Sequence, residues 1–400
     1  MSHAGLSKSF FGMFKETALA CLFDIGGLIA GFTIALQLGV FQLSPWAIAL
    51  YPAVVSVKGV ITGLLTGRLS TALHLGTVYP KFFGNTKSFY KLIGAMVVLT
   101  LATSATISAI AIVFGTLFWG ITIADFPAIL TVMVATLSLG LLITLITVKV
   151  AFVSFKKSLD PDTIVYPAIS TVADIIITFL YIGVLNLYFS GGPVGKWAII
   201  IFGLINVFLV LIILPRNLRE TEFLKIIKES LPTMLLVAFM VNITGTVLKG
   251  ISNLADGRRE IYTVYPAIID MMGDVGLVVG SAATTKLALG VLAPSFSSIK
   301  NHAKNIFSAW TASLVLFAVL GLLSLAINGM FSLQGISNLL LILFVSNVIA
   351  FTVIVLLSYG IAILTFKRGL DPDNFVLPIG SSLADSITTI ALFVALLLII

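Results

Sequence analysis

Ser170, Asp174 and Thr178 stand four residues apart in an apolar stretch, and Ser381, Asp385 and Thr389 repeat that spacing 211 residues later. On a helix such spacing sets all three side chains on one face. A carboxylate flanked by hydroxyls suits a hydrated cation, because the carboxylate supplies charge while the hydroxyls orient water. A charged side chain at the bilayer centre costs roughly 2.5–3.5 kcal/mol on insertion scales, so Asp174 and Asp385 are expected to face water or an ion rather than lipid. Their plainer reading is a buried hydrogen-bonding group; the recurrence of Ser-x3-Asp-x3-Thr favours ion contact.

Further ionisable residues fall in apolar segments. Asp270 and Asp274, at i and i+4, share a helix face and are read as pore-lining, with an ion pair, in one version to Lys58, as the alternative. Lys58 either snorkels or neutralises an aspartate as a tethered cation in the ion-free state. Asp24, beside Gly26 and Gly27, takes either a structural partner or an ion. With Lys58 protonated and all five aspartates ionised, the apolar segments carry a net −4, which demands a counterion and predicts competition between protons and the cation. Gly59, Gly63 and Gly67 recur every fourth residue, and Gly273, Gly276 and Gly280 sit at related positions. Small residues let membrane helices approach closely; the functional alternative, kept for Gly59 and Gly273, is backbone lining a water-filled path. Arg68 and His74 read as interface anchors, and Asp160, Asp162, Asp371 and Asp373 as caps of the helices that follow.

The elements that must position these residues follow from composition. With 59% hydrophobic residues, 10% charged residues and a mean hydropathy of +1.16, the chain is an all-α, multi-pass membrane protein. One cysteine, Cys21, excludes a disulfide framework, and three scattered histidines exclude a zinc centre. Met1–Lys15 lacks the pattern of a cleaved signal peptide, so the first helix is expected to be retained. Hydropathy divides into eleven spans of about 20 residues. An amino terminus in the cytoplasm puts 18 of 23 Lys and Arg residues in or beside cytoplasmic segments, which predicts N-in, C-out in the cell membrane. The net charge of +7 is thereby assigned to loops facing anionic lipid, not to nucleic acid.

The duplication is wider than the aspartate helices. Phe155–Phe179 and Phe366–Ile390 are identical at 13 of 25 positions. Tyr51-Pro52-Ala53, Gly59, Leu73, Leu75 and Gly76 recur as Tyr265-Pro266-Ala267, Gly273, Leu287, Leu289 and Gly290, at an offset of 214. Residues 1–196 are read as a first five-helix repeat, 197–215 as a linking transmembrane helix and 216–400 as a second five-helix repeat. An odd number of helices per repeat would invert the second copy; the linking helix restores its orientation. This 5+1+5 arrangement predicts parallel pseudo-twofold repeats around a central ion path.

The Asp-Pro-Asp turns leading through a proline to a buried aspartate, together with a Pro-Ala helix carrying Lys58-Gly59 and Arg68-Leu69-Ser70-Thr71-Ala72, resemble the MgtE magnesium transporters, in particular their duplicated solute-carrier branch. The resemblance covers nearly all of residues 15–400, and Asp371-Pro372-Asp373-Asn374 is its most specific string. It implies a pair of five-helix units whose second and fifth helices line the ion path, with magnesium held by the fifth-helix aspartates Asp174 and Asp385. The pattern departs at the second helix, where Gly-Asn is usual and this chain has Gly59-Val60 and Gly273-Asp274, so the two halves differ. The soluble magnesium-sensing domains of bacterial members are expected to be absent ahead of the first span.

Mg²⁺ keeps much of its octahedral water shell and binds through one or two carboxylates. The expected activity is therefore transport of Mg²⁺, without a cofactor and with no oligomer required, since both repeats share one chain. The alternatives are a sodium-coupled exchanger, proton coupling, and another divalent cation (Mn²⁺, Co²⁺ or Zn²⁺). A membrane-embedded metal-dependent enzyme lacks the longer acidic signature such chemistry needs.

Overall fold

The computed structural model describes residues 10–157, 166–255, 257–367 and 373–399, with side chains omitted at 166–169, 288, 365 and 373–381. Eleven of its helical segments are long and apolar enough to cross a membrane. The first pairs α1 (Phe10–Ala20) with α2 (Gly27–Leu36) across a tight 3-10 turn at Phe23–Gly26. Short helices α3 (Leu38–Gln42) and α4 (Pro45–Ala49) lead into α5 (Tyr51–His74). Then come α6 (Lys87–Phe114), α7 (Phe126–Lys156), α8 (Tyr166–Ser190) and α9 (Gly192–Asn217), followed by α10 (Thr221–Leu254) and α11 (Arg259–Ala288). The last three are α12 (Ile299–Ile327), α13 (Leu333–Lys367) and α14 (Asp373–Ile399). No strand occurs among the described residues. Helices alone satisfy their backbone polar groups within one segment, which is what hydrocarbon requires.

The sequence repeat is reproduced in backbone geometry. Helix α5 ends at Gly76 (φ 69°) and α11 at Gly290 (φ 67°), both left-handed, where glycine carries no Cβ penalty. In α5 the Gly76 amide donates to the Leu73 carbonyl and the Thr77 amide to that of Ala72; in α11 Gly290 donates to Leu287 and Val291 to Lys286. That pair of bonds is the Schellman termination, which satisfies carbonyls otherwise orphaned at a helix end. The recurring Leu-x-Leu-Gly is thus a twice-used stop signal.

Two compact units are formed, one from residues 37–249 and the other from residues 1–36 with 250–400. In the first, α5 packs against α7 and α8, and α9 against α6, α7 and α8. Trp46, Tyr51 and Tyr181 are buried there, and the Tyr181 hydroxyl donates to the Ala47 carbonyl at 2.6 Å. Gly245 of α10 meets the Ala49 carbonyl so closely that a Cβ would collide with it. Helix α9, which contains the expected linking span, is the least buried of the eleven. Ion pairs gather at one end: Lys91–Glu220 at 2.7 Å, Arg68–Glu229 at 2.9 Å and Lys91–Glu222 at 3.5 Å.

In the other unit α11 is central, packing against α2, α12, α13 and α14. Gly27 and Gly31 let α2 lie directly on the α11 backbone at Ala267 and at Tyr262–Thr263. Gly276 of α11 accepts the close approach of α13, where a Cβ would stand 2.7 Å from Ile354. Such small-residue contacts drive helix association where lipid removes the hydrophobic incentive. Gly59 and Gly67 behave otherwise: a Cβ at either would meet no described atom within 4 Å.

Candidate cation site

Asp174 lies on the face of α8 that meets α5. One end of this contact is fixed by the Tyr51 hydroxyl, 3.1 Å from Thr178 Oγ1. Two turns along α5 from Tyr51, Lys58 points the same way, and one turn back along α8 from Thr178 stands Asp174. The helices therefore run antiparallel with Lys58 opposite Asp174. Lys58 Nζ is 3.4 Å from Asp174 Oδ1 and 3.4 Å from the Ser170 carbonyl oxygen. Both charged side chains are only 4% exposed. The lysine thus does not snorkel, and within its own unit it is paired with the Asp174 carboxylate. Beside it lies a cavity of about 10 Å³, lined in part by Thr62, Thr100 and Thr144.

The second unit repeats the register with different charges. The Tyr265 hydroxyl is 3.0 Å from Thr389 Oγ1, which also donates to the Asp385 carbonyl at 2.6 Å. Asp385 and Asp270 both act electrostatically on Tyr265. Asp270, Asp274 and Asp385 are half-buried, unlike the buried Asp174. Gly273 faces α14, its Cβ position 4.0 Å from Ala384 Cβ, next to Asp385. The place corresponding to Lys58 is held by Met272, which is fully buried.

Asp24 is buried in the 3-10 turn that breaks the first span. Both it and Asp274 act electrostatically on Cys21, whose thiol lies 3.8 Å from the Met271 carbonyl oxygen. Irregular backbone at membrane depth is tolerated where it is buried in protein or lines a cavity. Among the described residues no three His, Cys, Asp or Glu side chains converge to form a metal cage. One or two carboxylates per ion is the arrangement Mg²⁺ accepts when it keeps waters.

Several expected residues take other places. The Ser381 and Asp373 side chains, and Asp160, Asp162 and Asp371 entirely, lie outside the described residues. His74 Nδ1 is 2.9 Å from the Ser70 carbonyl oxygen and Arg68 pairs with Glu229, which ties both to local structure. Tyr51 and Tyr265, which fix the helix register, were not singled out as site residues. Their signal was present in the recurring Tyr-Pro-Ala.

The family model described as MgtE, divalent cation transporter, matches residues 51–184 and again residues 265–395. Each match runs from the tyrosine that opens this helix pair to beyond the aspartate of α8 or α14. No curated protein and no solved structure matches the chain. Two matched regions covering more than half of the sequence, on eleven apolar helices with the same helix contact in each region, establish that the chain belongs to the MgtE family of divalent cation transporters.

Proposed function

We propose that the chain carries Mg²⁺ across the cell membrane along the carboxylate-bearing helix faces of its two repeats, with its amino terminus in the cytoplasm. Asp174 and Asp385 are the central ligands, Asp270 and Asp274 assist, and Ser170, Thr178, Ser381 and Thr389 orient the waters that the ion retains. The observation that carries this reading is the duplicated contact of second and fifth repeat helices, each holding an acidic side chain one turn from a tyrosine–threonine bond. A purely structural role would not require intramembrane carboxylates in both copies.

The test is Mg²⁺ flux into proteoliposomes containing the purified chain. Asp174→Asn and Asp385→Asn are expected to reduce flux at least about 100-fold while leaving the protein folded, by loss of a charged ligand. Normal flux in both variants refutes the ligand assignment. The additional acids of the second repeat favour a second cation there, so a sodium gradient and a pH gradient are imposed in turn. Flux driven by either one identifies an exchanger, and indifference to both identifies a channel-like path.

A further inference from the structure

We propose that Lys58 is a tethered competitor for the transported cation: its ammonium holds the Asp174 carboxylate until a divalent ion displaces it. The proposal rests on the reading of Asp174 as a cation ligand and adds an internal brake to it.

Three observations carry it. The ammonium is set against a carboxylate oxygen and a backbone carbonyl oxygen, Asp174 Oδ1 and Ser170 O, which are ligand types a hard divalent cation takes. Both distances are 3.4 Å, longer than the 2.7 Å of the Lys91–Glu220 pair, so charge holds Lys58 more than close hydrogen bonding does.

Space makes the two occupants exclusive. The cavity beside Lys58 measures about 10 Å³. That is close to the space one water needs, whereas a hydrated divalent ion carries several waters, so such an ion does not fit there beside the ammonium. The threonine-lined cavity, with Thr62, Thr100 and Thr144 on its walls, is of a size to receive the ammonium nitrogen.

The repeats also differ as a competitor requires. In the first, Lys58 and Asp174 pair an amine with a carboxyl; in the second, Met272 replaces the lysine, while Asp270, Asp274 and Asp385 supply three carboxyl groups. The brake thus belongs to one half only.

The experiment measures Mn²⁺ binding to the purified full chain by the electron paramagnetic resonance signal of free Mn²⁺. A site open in about one molecule in ten loses about tenfold in apparent affinity. Lys58→Met is therefore expected to bind Mn²⁺ about tenfold more tightly than wild type, Lys58→Arg to bind like wild type, and Lys58→Met/Asp174→Asn to show no gain. Lys58→Gln removes the charge while keeping a donor, and gives the same reading where the methionine variant fails to fold. Absence of a gain in the charge-removing variants, or a gain that persists with Asp174→Asn, overturns the competitor. Failure of the ligand assignment is distinguishable: there Asp174→Asn and Asp385→Asn leave both Mn²⁺ binding and Mg²⁺ flux at wild-type values.

Discussion

The Tyr51 hydroxyl and Thr178 Oγ1 are 3.1 Å apart in a fully buried contact, and Tyr265 with Thr389 repeats it at 3.0 Å. A duplicated sequence has thereby kept the same interhelical bond in both copies. Removing either hydroxyl breaks this one bond, which is worth about 0.5–1.5 kcal/mol, and removing both breaks the same bond once. Thr178→Val or Tyr51→Phe alone should lower the unfolding midpoint, and the double variant should lose less than the sum of the two. Strictly additive losses in a double-mutant cycle would refute the coupling.

The Lys58–Asp174 pair makes a sharper prediction for stability. A buried charge deprived of its partner typically costs about 3–5 kcal/mol, while replacing both partners is often tolerated. In magnesium-free detergent solution Asp174→Asn should melt well below wild type, and Lys58→Met/Asp174→Asn close to it. Equal melting of the single and double variants would indicate that the ammonium escapes to water.

Glycine substitutions should separate packing positions from open ones. At Gly31 a Cβ would strike the Thr263 carbonyl of α11, which is backbone and yields little. Gly31→Ala is therefore expected to destabilise by about 1–3 kcal/mol, as overpacked sites do. Gly59→Ala meets no described atom within 4 Å and should be neutral or slightly stabilising, since alanine restricts the unfolded chain. Thermal unfolding of the two variants in one detergent decides; equal damage would contradict this ordering.

Glu220 supplies a pH dependence outside the spans. Its hydrogen bond from Lys91, then the charge of that lysine, holds the carboxyl below the usual carboxylate range. Because the folded value is depressed, the contribution is present above the ordinary carboxylate range and is lost as pH falls through the lowered folded value. Glu220 is solvent-exposed, so the effect is small and screened by salt. Wild type should melt above Glu220→Gln at neutral pH and low salt, with the gap closing on acidification. A gap that widens instead would reverse the sign.

The eleven spans were legible because a run of about 20 apolar residues has few fates other than crossing a bilayer. Leu-x-Leu-Gly and Tyr-Pro-Ala were legible as repeats, and their geometric meaning emerged only in the Schellman turns and the tyrosine–threonine bonds. The partner of Lys58 was not legible. Sequence spacing orders residues along one helix, whereas the choice among carboxylates depends on which helices touch. For the same reason the four-residue period of Gly59 and Gly67 defines a face without saying what lies against it. Nor did hydropathy reveal the turn at Phe23–Gly26, since a single aspartate does not interrupt an apolar average.

The contact of α2 with α11 also sets a schedule for biogenesis. Gly31 precedes Thr263 by 232 residues. At about 5–20 residues per second, the ribosome needs roughly ten to fifty seconds to make the intervening chain. Throughout that interval the glycine face of the first span is in the membrane without the helix it is shaped to receive. The glycine face of the first span thus waits for a helix that is made only after the whole of the other unit, residues 37–249.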